Sequence, residues 1–467
     1  MDMRIKKTAA AGMAWVLLSA GLAACSAAPA APAPAADPAN EENAVNETAP
    51  AAAAEEAGQE AAPDNSAGHK GFEPRLSQDV EGVINVVGHY NNFEAIEQEF
   101  NRFNEYYPDV EMKYTYLDNY SGIIAAAVSG SEAPDIFFTY PWMANDESFS
   151  ALFDAAEDLS QESLGIDLSC IRSDLLKPDE EGRILEVPVY TTTNGMLVNE
   201  DIFEKEGLSV PTTYQELLSV CEALKNAGYE HPVMGYNSSD SVIYPLYYPN
   251  FIGAVFNDEN AVGELNDMAP SAAEYMRGSL ELAEDFMSRG YVDIESCSAL
   301  ENDYDAVIMR FFEGDVPIMM ASANTVSGTE KRESKSEAFS ANPFRYGFYL
   351  VPSTEEGGYF LSWVSIGFGV NRNSGNLDLT NEFMRFLITP DELNRMAEAK
   401  RMVTPCREIS PDSIYAALRD VDSEHFINMS DLTLATEPDA QLRKAGWLVA
   451  NGEMTAEEAI AAFGTLE

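Results

Sequence analysis

Histidine occurs four times in 467 residues and cysteine five times, and these two scarcities remove most metal chemistry at the outset. Structural and catalytic zinc sites cluster Cys and His at short spacings, whereas Cys170, Cys221, Cys297 and Cys406 are scattered. No metal and no cofactor is expected. The four cysteines leave two options open, one disulfide or four buried thiols. Basic residues are also sparse: 28 Lys and Arg face 78 Asp and Glu, a formal charge of −50. A surface of that sign repels phosphate backbones and bare anionic lipid, which excludes nucleic acid as a partner. Solubility is its plain meaning. Catalytic signatures are missing as well. There is no HExxH and no phosphate-binding glycine loop, and among so many carboxylates no acid–base pair stands apart. An enzyme is not expected.

Long apolar runs are confined to the N-terminus. Arg4, Lys6 and Lys7 precede an apolar stretch from Ala9 to Ala20 that ends in Leu22-Ala23-Ala24-Cys25. The stretch is shorter than the about 20 residues a permanent spanning helix needs, so residues 1–24 read as an export signal. Small residues just before a cysteine resemble the bacterial lipobox, with Cys25 as the acylated mature N-terminus; the alternative is an ordinary secretory signal that contains a cysteine. Two acyl chains anchor stably where one does not. From Ser26 to about Val80 the chain is Ala, Pro, Glu, Asn and Gly with almost no large apolar side chain. Such a segment cannot offset its ordering entropy, and residues 25–80 are expected to form a disordered tether with a reach on the order of 40 Å.

The body, 81–467, is long enough for two domains. Val83 to Val87 is a β-branched run and reads as a buried strand. Phe93, Ile96, Phe100 and Phe103 follow at helical spacing, stopping at Tyr107-Pro108. A second strand, Val110 to Tyr116, a helix ending near Gly130, and a third strand from Pro134 to Tyr140 complete an alternation that implies a parallel sheet flanked by helices. Thr213 with Glu216, Thr389 with Pro390 and Glu392, and Thr455 with Glu458 have the spacing of helix N-caps and capping boxes. The class is α/β.

Several segments then resemble the family 1 extracellular solute-binding proteins of ABC importers, in the family's order. They are Ser129 to Ile136; Gly195 to Leu208 with Val210 to Leu217; Phe312 to Met320; Tyr346 to Pro352; Gly367 to Asn371; and Phe383 to Leu387. The resemblance implies a periplasmic-binding-protein type II-like fold: two discontinuous α/β lobes with a hinge and an interlobe ligand cleft. Lobe 1 would take 81–196 and 353–403, and lobe 2 would take 197–352 and 404–467. It also implies a monomer that captures a small molecule, a sugar or oligosaccharide, and hands it to ABC permease subunits. The only membrane attachment would be the lipid, on the extracytoplasmic face. Within the same fold a peptide or polyamine ligand, or a role as a ligand-presenting sensor or adhesin, stays open.

A sugar site needs aromatic plates and hydrogen-bonding side chains, and ligands of α/β sheets sit beyond the carboxyl ends of strands. That rule nominates His89, Tyr90 and Asn91 after the first strand, Asp118 after the second, and Tyr140 and Trp142 after the third. Asn194, in the run Thr191-Thr192-Thr193-Asn194, precedes the expected crossing between lobes. In lobe 2 the candidates are Tyr236 and one of the tyrosines 244, 247 and 248, with Tyr247 chosen. Asn324 stands where some relatives carry a sugar-stacking Trp, so maltodextrin specificity is not carried over. Trp363 precedes a Gly-Phe-Gly strand and is taken as facing the cleft. Trp447, on a helical face with Leu442 and Val449, is read as core. His89 and Asp118 have a second reading as helix caps.

Overall fold

A computed structural model describes residues 71–90, 94–130, 132–235, 243–300 and 304–466; Cys25, Asn91, Tyr236 and most of the expected tether lie outside the described residues. Strand β1 (Gly82–Gly88) buries Ile84, Val86 and Val87. It pairs in parallel with β2 (Val110–Tyr116) on one side and β3 (Ile136–Thr139) on the other. The helix Glu94–Tyr106 between β1 and β2 turns Ile96, Phe100 and Phe103 inward, and Phe103 meets Phe383 edge-on at 5.2 Å. It stops before Pro108, where Asn104 Nδ2 donates to the carbonyls of Tyr107 and Val110 at 3.1 and 2.7 Å. The Val110 amide also donates to the Tyr107 carbonyl at 3.2 Å, so the turn from helix to strand is closed by side chain and backbone together.

The first sheet has the order β10-β9-β3-β1-β2, with β4 (Val187–Thr192) also on β9 (Phe360–Val370) and β10 (Phe426–Asn428) at the edge. A second sheet has the order β6-β7-β5-β8: β6 (Val233–Gly235), β7 (Ile318–Ser322), β5 (Asn194–Asn199) and β8 (Tyr346–Tyr349). Every residue of β5 is buried, as expected for a strand covered on both faces. Each sheet has its own apolar core. The chain passes between sheets at Thr193, along β9, and near Val403, where the Thr191 amide and hydroxyl both donate to the Val403 carbonyl at 3.1 and 2.9 Å. Along β9 the core changes: Phe360 and Leu361 pack with the second cluster, Ile366 and Phe368 with the first. The fold is therefore two-lobed α/β.

The three helix starts nominated above are capped. Thr213, Thr389 and Thr455 accept from the amides of Glu216, Glu392 and Glu458, and Thr455 with Glu458 forms the complete capping box. The Glu216 carboxylate instead turns back to the amide and hydroxyl of Thr212 at 2.8 and 2.9 Å.

Two expectations need correction. The tether does not reach Val80, because Phe72 stacks edge-on against Tyr106 and Phe386 at 5.1 and 5.4 Å, and the Arg75 amide donates to Glu382 Oε1 at 2.7 Å. Half-buried Phe72, Leu76 and Val80 and a hydrogen bond to a buried carboxylate hold this short segment against the lobe. Trp447 is half-buried, not core, although Leu442 and Val449 beside it are buried; a helix of this amphipathicity leaves the large ring at the border of its apolar stripe. Of the four cysteines, all free thiols, Cys170 is partly exposed and the others are buried. No helix among the described residues is long and apolar enough to cross a membrane.

Candidate functional site

Strand directions gather the nominated residues. β1, β2 and β3 run parallel, and β3 and β4 both run antiparallel to β9, so their carboxyl ends share one edge of the first sheet. His89, Asp118, Tyr140 and the end of β4 lie on that edge. In the second sheet β6 and β7 are parallel and end toward the crossing, beside the start of antiparallel β5. Ser322, Asn324 and Asn194 sit there. Both sheets thus present strand ends to the junction between them, the position from which α/β folds bind ligands.

On the first lobe the residues form one aromatic cluster. The Tyr140 hydroxyl shares a hydrogen bond with His89 Nδ1 at 2.9 Å, and the Tyr140 and Trp142 rings are near-parallel, 16° apart at 6.2 Å. Trp142 is braced edge-on by Phe149 at 5.2 Å, and His89 is stacked on Tyr120 at 5.5 Å. Tyr140 is buried beneath the half-buried Trp142 and His89, so the indole and the imidazole supply the accessible surface. Burial lowers the His89 pKa below its ordinary 6.5, which keeps the ring neutral. Neutral imidazole both donates and accepts, as a hydroxyl-rich ligand requires. Tyr90 is buried; its amide donates to the Tyr114 hydroxyl at 2.8 Å, and Lys400 Nζ lies 5.7 Å over its ring. Asp118 is exposed in the turn before the helix Tyr120–Ala127, whose N-cap position belongs to Asn119.

The floor is made where the chain crosses. Asn194 pairs across the sheet with Ser322, Thr192 with Trp363, and the Ala323 amide donates to the Thr193 carbonyl at 2.9 Å. Ser365 Oγ donates to Asn324 Oδ1 at 3.4 Å, which joins β9 to the turn after β7. Asn194 and Thr192 are buried, and the Asn194 Nδ2 and Thr192 Oγ1 atoms have no hydrogen-bond partner among the described residues. A buried donor without a partner costs about 1–3 kcal/mol. Polar atoms held in that way at a crossing point mark a place where an acceptor arrives from outside the resting structure.

Tyr247 lies elsewhere. It is fully buried in the helix Tyr244–Phe256, edge-on to Tyr244 at 5.6 Å, and its ring occupies the space that a side chain at Gly446 would fill. Tyr248 is buried too, with Tyr244 stacked on it at 4.4 Å. Sequence reasoning passed over Tyr120, which backs His89, and Ser365, which orients Asn324. Ser365 had a partial signal, since it lies two residues beyond Trp363 on one strand, although the register of β9 against β4 slips there. Tyr120 had none.

A cavity of about 720 Å³ opens on a different flank, lined by Glu333, Tyr346, Tyr349, Glu398, Arg401 and Tyr415 among others. None of the nominated residues lines it. Its polar groups already serve one another: Arg401 Nη1 donates to Glu333 Oε1 at 2.6 Å, to Thr329 Oγ1 at 2.9 Å and to the Tyr346 hydroxyl, and Tyr349 donates to Glu200 Oε1 at 2.7 Å. Volume alone therefore does not make it the site.

Two α/β lobes joined by crossing strands, with polar and aromatic groups at the facing strand ends, define a binding protein of type II architecture. Residues 88–393 match the family described as bacterial extracellular solute-binding protein, and the chain belongs to that family. The fold is similar to that of apo RafE from Streptococcus pneumoniae, at 16% identity over 84% of this chain and 98% of that one, with a TM-score of 0.62. It is also similar to the binding protein MsmE of Bacillus subtilis in an open conformation, at 14% identity over 82% and 96% of the two chains and a TM-score of 0.61. The GacH receptor of Streptomyces glaucescens is similar at 18% identity over 83% and 97%, with a TM-score of 0.56. No curated protein matches the chain by sequence.

Proposed function

We propose that this chain is a lipid-anchored, extracytoplasmic receptor that captures a sugar or short oligosaccharide between its lobes and delivers it to ABC permease subunits. Lobe 1 takes 81–196 and 353–403, lobe 2 takes 197–352 and 404–467, and the site is built from His89, Tyr140, Trp142, Asn194, Asn324 and Trp363, with Asp118 at the rim. The observation that carries the reading is the pairing of an accessible indole and imidazole on one lobe with buried, unpartnered Asn194 and Thr192 atoms on the floor. Aromatic faces accept the C–H side of a sugar ring, and amide and hydroxyl groups accept its rim. The relatives support the same class: RafE has been solved with raffinose, a Bacillus licheniformis transporter protein with stachyose, and GacH with acarbose. Cys25 carries the lipid and residues 26–70 the tether. A binding role is the one the family supports.

The test is a thermal-shift panel on the chain lacking residues 1–70; a cut at Glu81 would strip away Phe72 and Arg75. A ligand at 100 times its Kd adds about 2.7 kcal/mol of stability. A shift with mono- or oligosaccharides is expected. If peptides or polyamines shift the melting temperature and no sugar does, the ligand class is wrong while the binding role stands.

A further inference from the structure

Cys170 closes the short turn Leu168–Cys170 on the first lobe, and Cys406 lies just past the third passage of chain between the sheets. Ile171 and Cys406 form an antiparallel bridge, framed by the Arg172 amide donating to the Pro405 carbonyl at 3.0 Å and the Arg407 amide donating to the Cys170 carbonyl at 3.1 Å. Arg407 Nε adds a bond to the Ser169 carbonyl at 2.8 Å. In such a non-hydrogen-bonded pair the opposed Cα atoms lie about 4.5 Å apart, and one residue along a strand adds about 3.4 Å. Cys170, one position from direct opposition, is thus roughly 5–6 Å from Cys406 between Cα atoms, within the span a disulfide bridges. Cys170 ends a helical turn rather than a strand, with its Sγ donating to the Asp167 carbonyl at 3.4 Å, and the two thiols lie close enough for each to shift the other's titration.

We propose that Cys170 and Cys406 form a disulfide once the chain meets an extracytoplasmic disulfide donor, pinning the third passage of chain to the first lobe. The partly exposed Cys170 sulfur exchanges with the donor, R–S–S–R: one Cys170–S–S–R bond forms, one RS⁻ leaves, and the Cys170 proton goes to solvent. The buried Cys406 thiolate then attacks the Cys170 sulfur, the Cys170–Cys406 bond forms, and the second RS⁻ leaves. Two thiols are oxidised and one donor disulfide is reduced. Cys406 suits the resolving role. Its neighbours Cys170 and Thr404 and the charge of Arg172 hold its thiol below the ordinary range against the opposing effect of burial. The proposal rests on the extracytoplasmic reading for its oxidant alone.

Full-length chain, purified in detergent, is incubated with glutathione disulfide or with dithiothreitol, denatured, alkylated and mapped by mass spectrometry. The expected product of oxidation is a linked peptide pair joining Cys170 to Cys406, two hydrogens lighter than the reduced pair, with Cys221 and Cys297 alkylated. Cys170→Ser and Cys406→Ser each abolish the link. Oxidised wild type should melt about 5 °C above reduced wild type, a comparison that needs no variant. Alkylated Cys170 and Cys406 after oxidation, or a link to Cys221 or Cys297, overturns the proposal. A pair that closes with glutathione but is recovered reduced from cells supports the site and overturns the extracytoplasmic location.

Discussion

The junction of the lobes carries two polar regions of opposite character. At the crossing strands, Asn194 Nδ2 and Thr192 Oγ1 are buried without partners among the described residues. On the flank, Arg401 gathers Thr329, Glu333 and Tyr346 around one guanidinium, and the Tyr415 hydroxyl donates to the Arg401 carbonyl at 2.7 Å. Arg401 also ends the helix Pro390–Lys400 as its left-handed cap at φ 50°, so its position is set by the backbone as well as by its partners. One region satisfies its charges, and the other leaves polar atoms unsatisfied. A satisfied network fixes structure; an unsatisfied one is set to recognise something else.

The sharpest way to break this comparison is Asn194→Leu. Removing a buried amide that lacks a partner should leave the melting temperature unchanged or raised, while calorimetry with the sugar found in the panel should show roughly 30-fold weaker binding, about 2 kcal/mol. A clear fall in melting temperature would make the amide structural and dissolve the contrast. Trp142→Ala comes next, with affinity lower by about tenfold and little change in fold, since the indole is half-buried. Arg401→Ala should do the reverse, lowering stability by about 2 kcal/mol in denaturant titration through the uncompensated Glu333 while affinity holds within a factor of three. A tenfold affinity change there would show that the flank takes part in ligand capture. The smallest effect concerns pH. The folded His89 has a pKa lowered from 6.5 by burial, so its contribution to stability is complete above 6.5 and is lost as pH falls through the folded value. Melting temperatures measured from pH 7.5 down to 5 should decline, and His89→Phe should flatten that part of the curve.

Much of this arrangement was legible in the sequence, for physical reasons. The run of alternating strands and helices through Tyr140 is written in local periodicity, and the loop residues His89, Tyr140 and Trp142 follow from the rule that ligands lie beyond strand ends. The helix starts at Thr389 and Thr455 were legible because capping is a contact between residues three apart. What escaped depends on contacts distant in sequence. Tyr247 is on a helix whose residues are apolar nearly all round, so no stripe shows which face meets the helix Thr436–Ala450. Phe72 stands in a polar, Pro-containing stretch and gains its place only from Tyr106 and Phe386. The opposition of Asn194 to Ser322 and of Thr192 to Trp363 is set by strand register, which a single chain does not display before its sheets are paired.

Strand β9 has a mechanical consequence. It runs unbroken for 11 residues, held by β10 at its start and by β3 and β4 farther along, and its flanking cores belong to different lobes. Between those clamps its register against β4 slips, and Ser365 is left opposite no β4 residue. An unpaired residue inside a ladder bends and over-twists its strand, so the passage from Trp363 to Ile366 is the soft point of the ribbon, where a relative rotation of the lobes would concentrate.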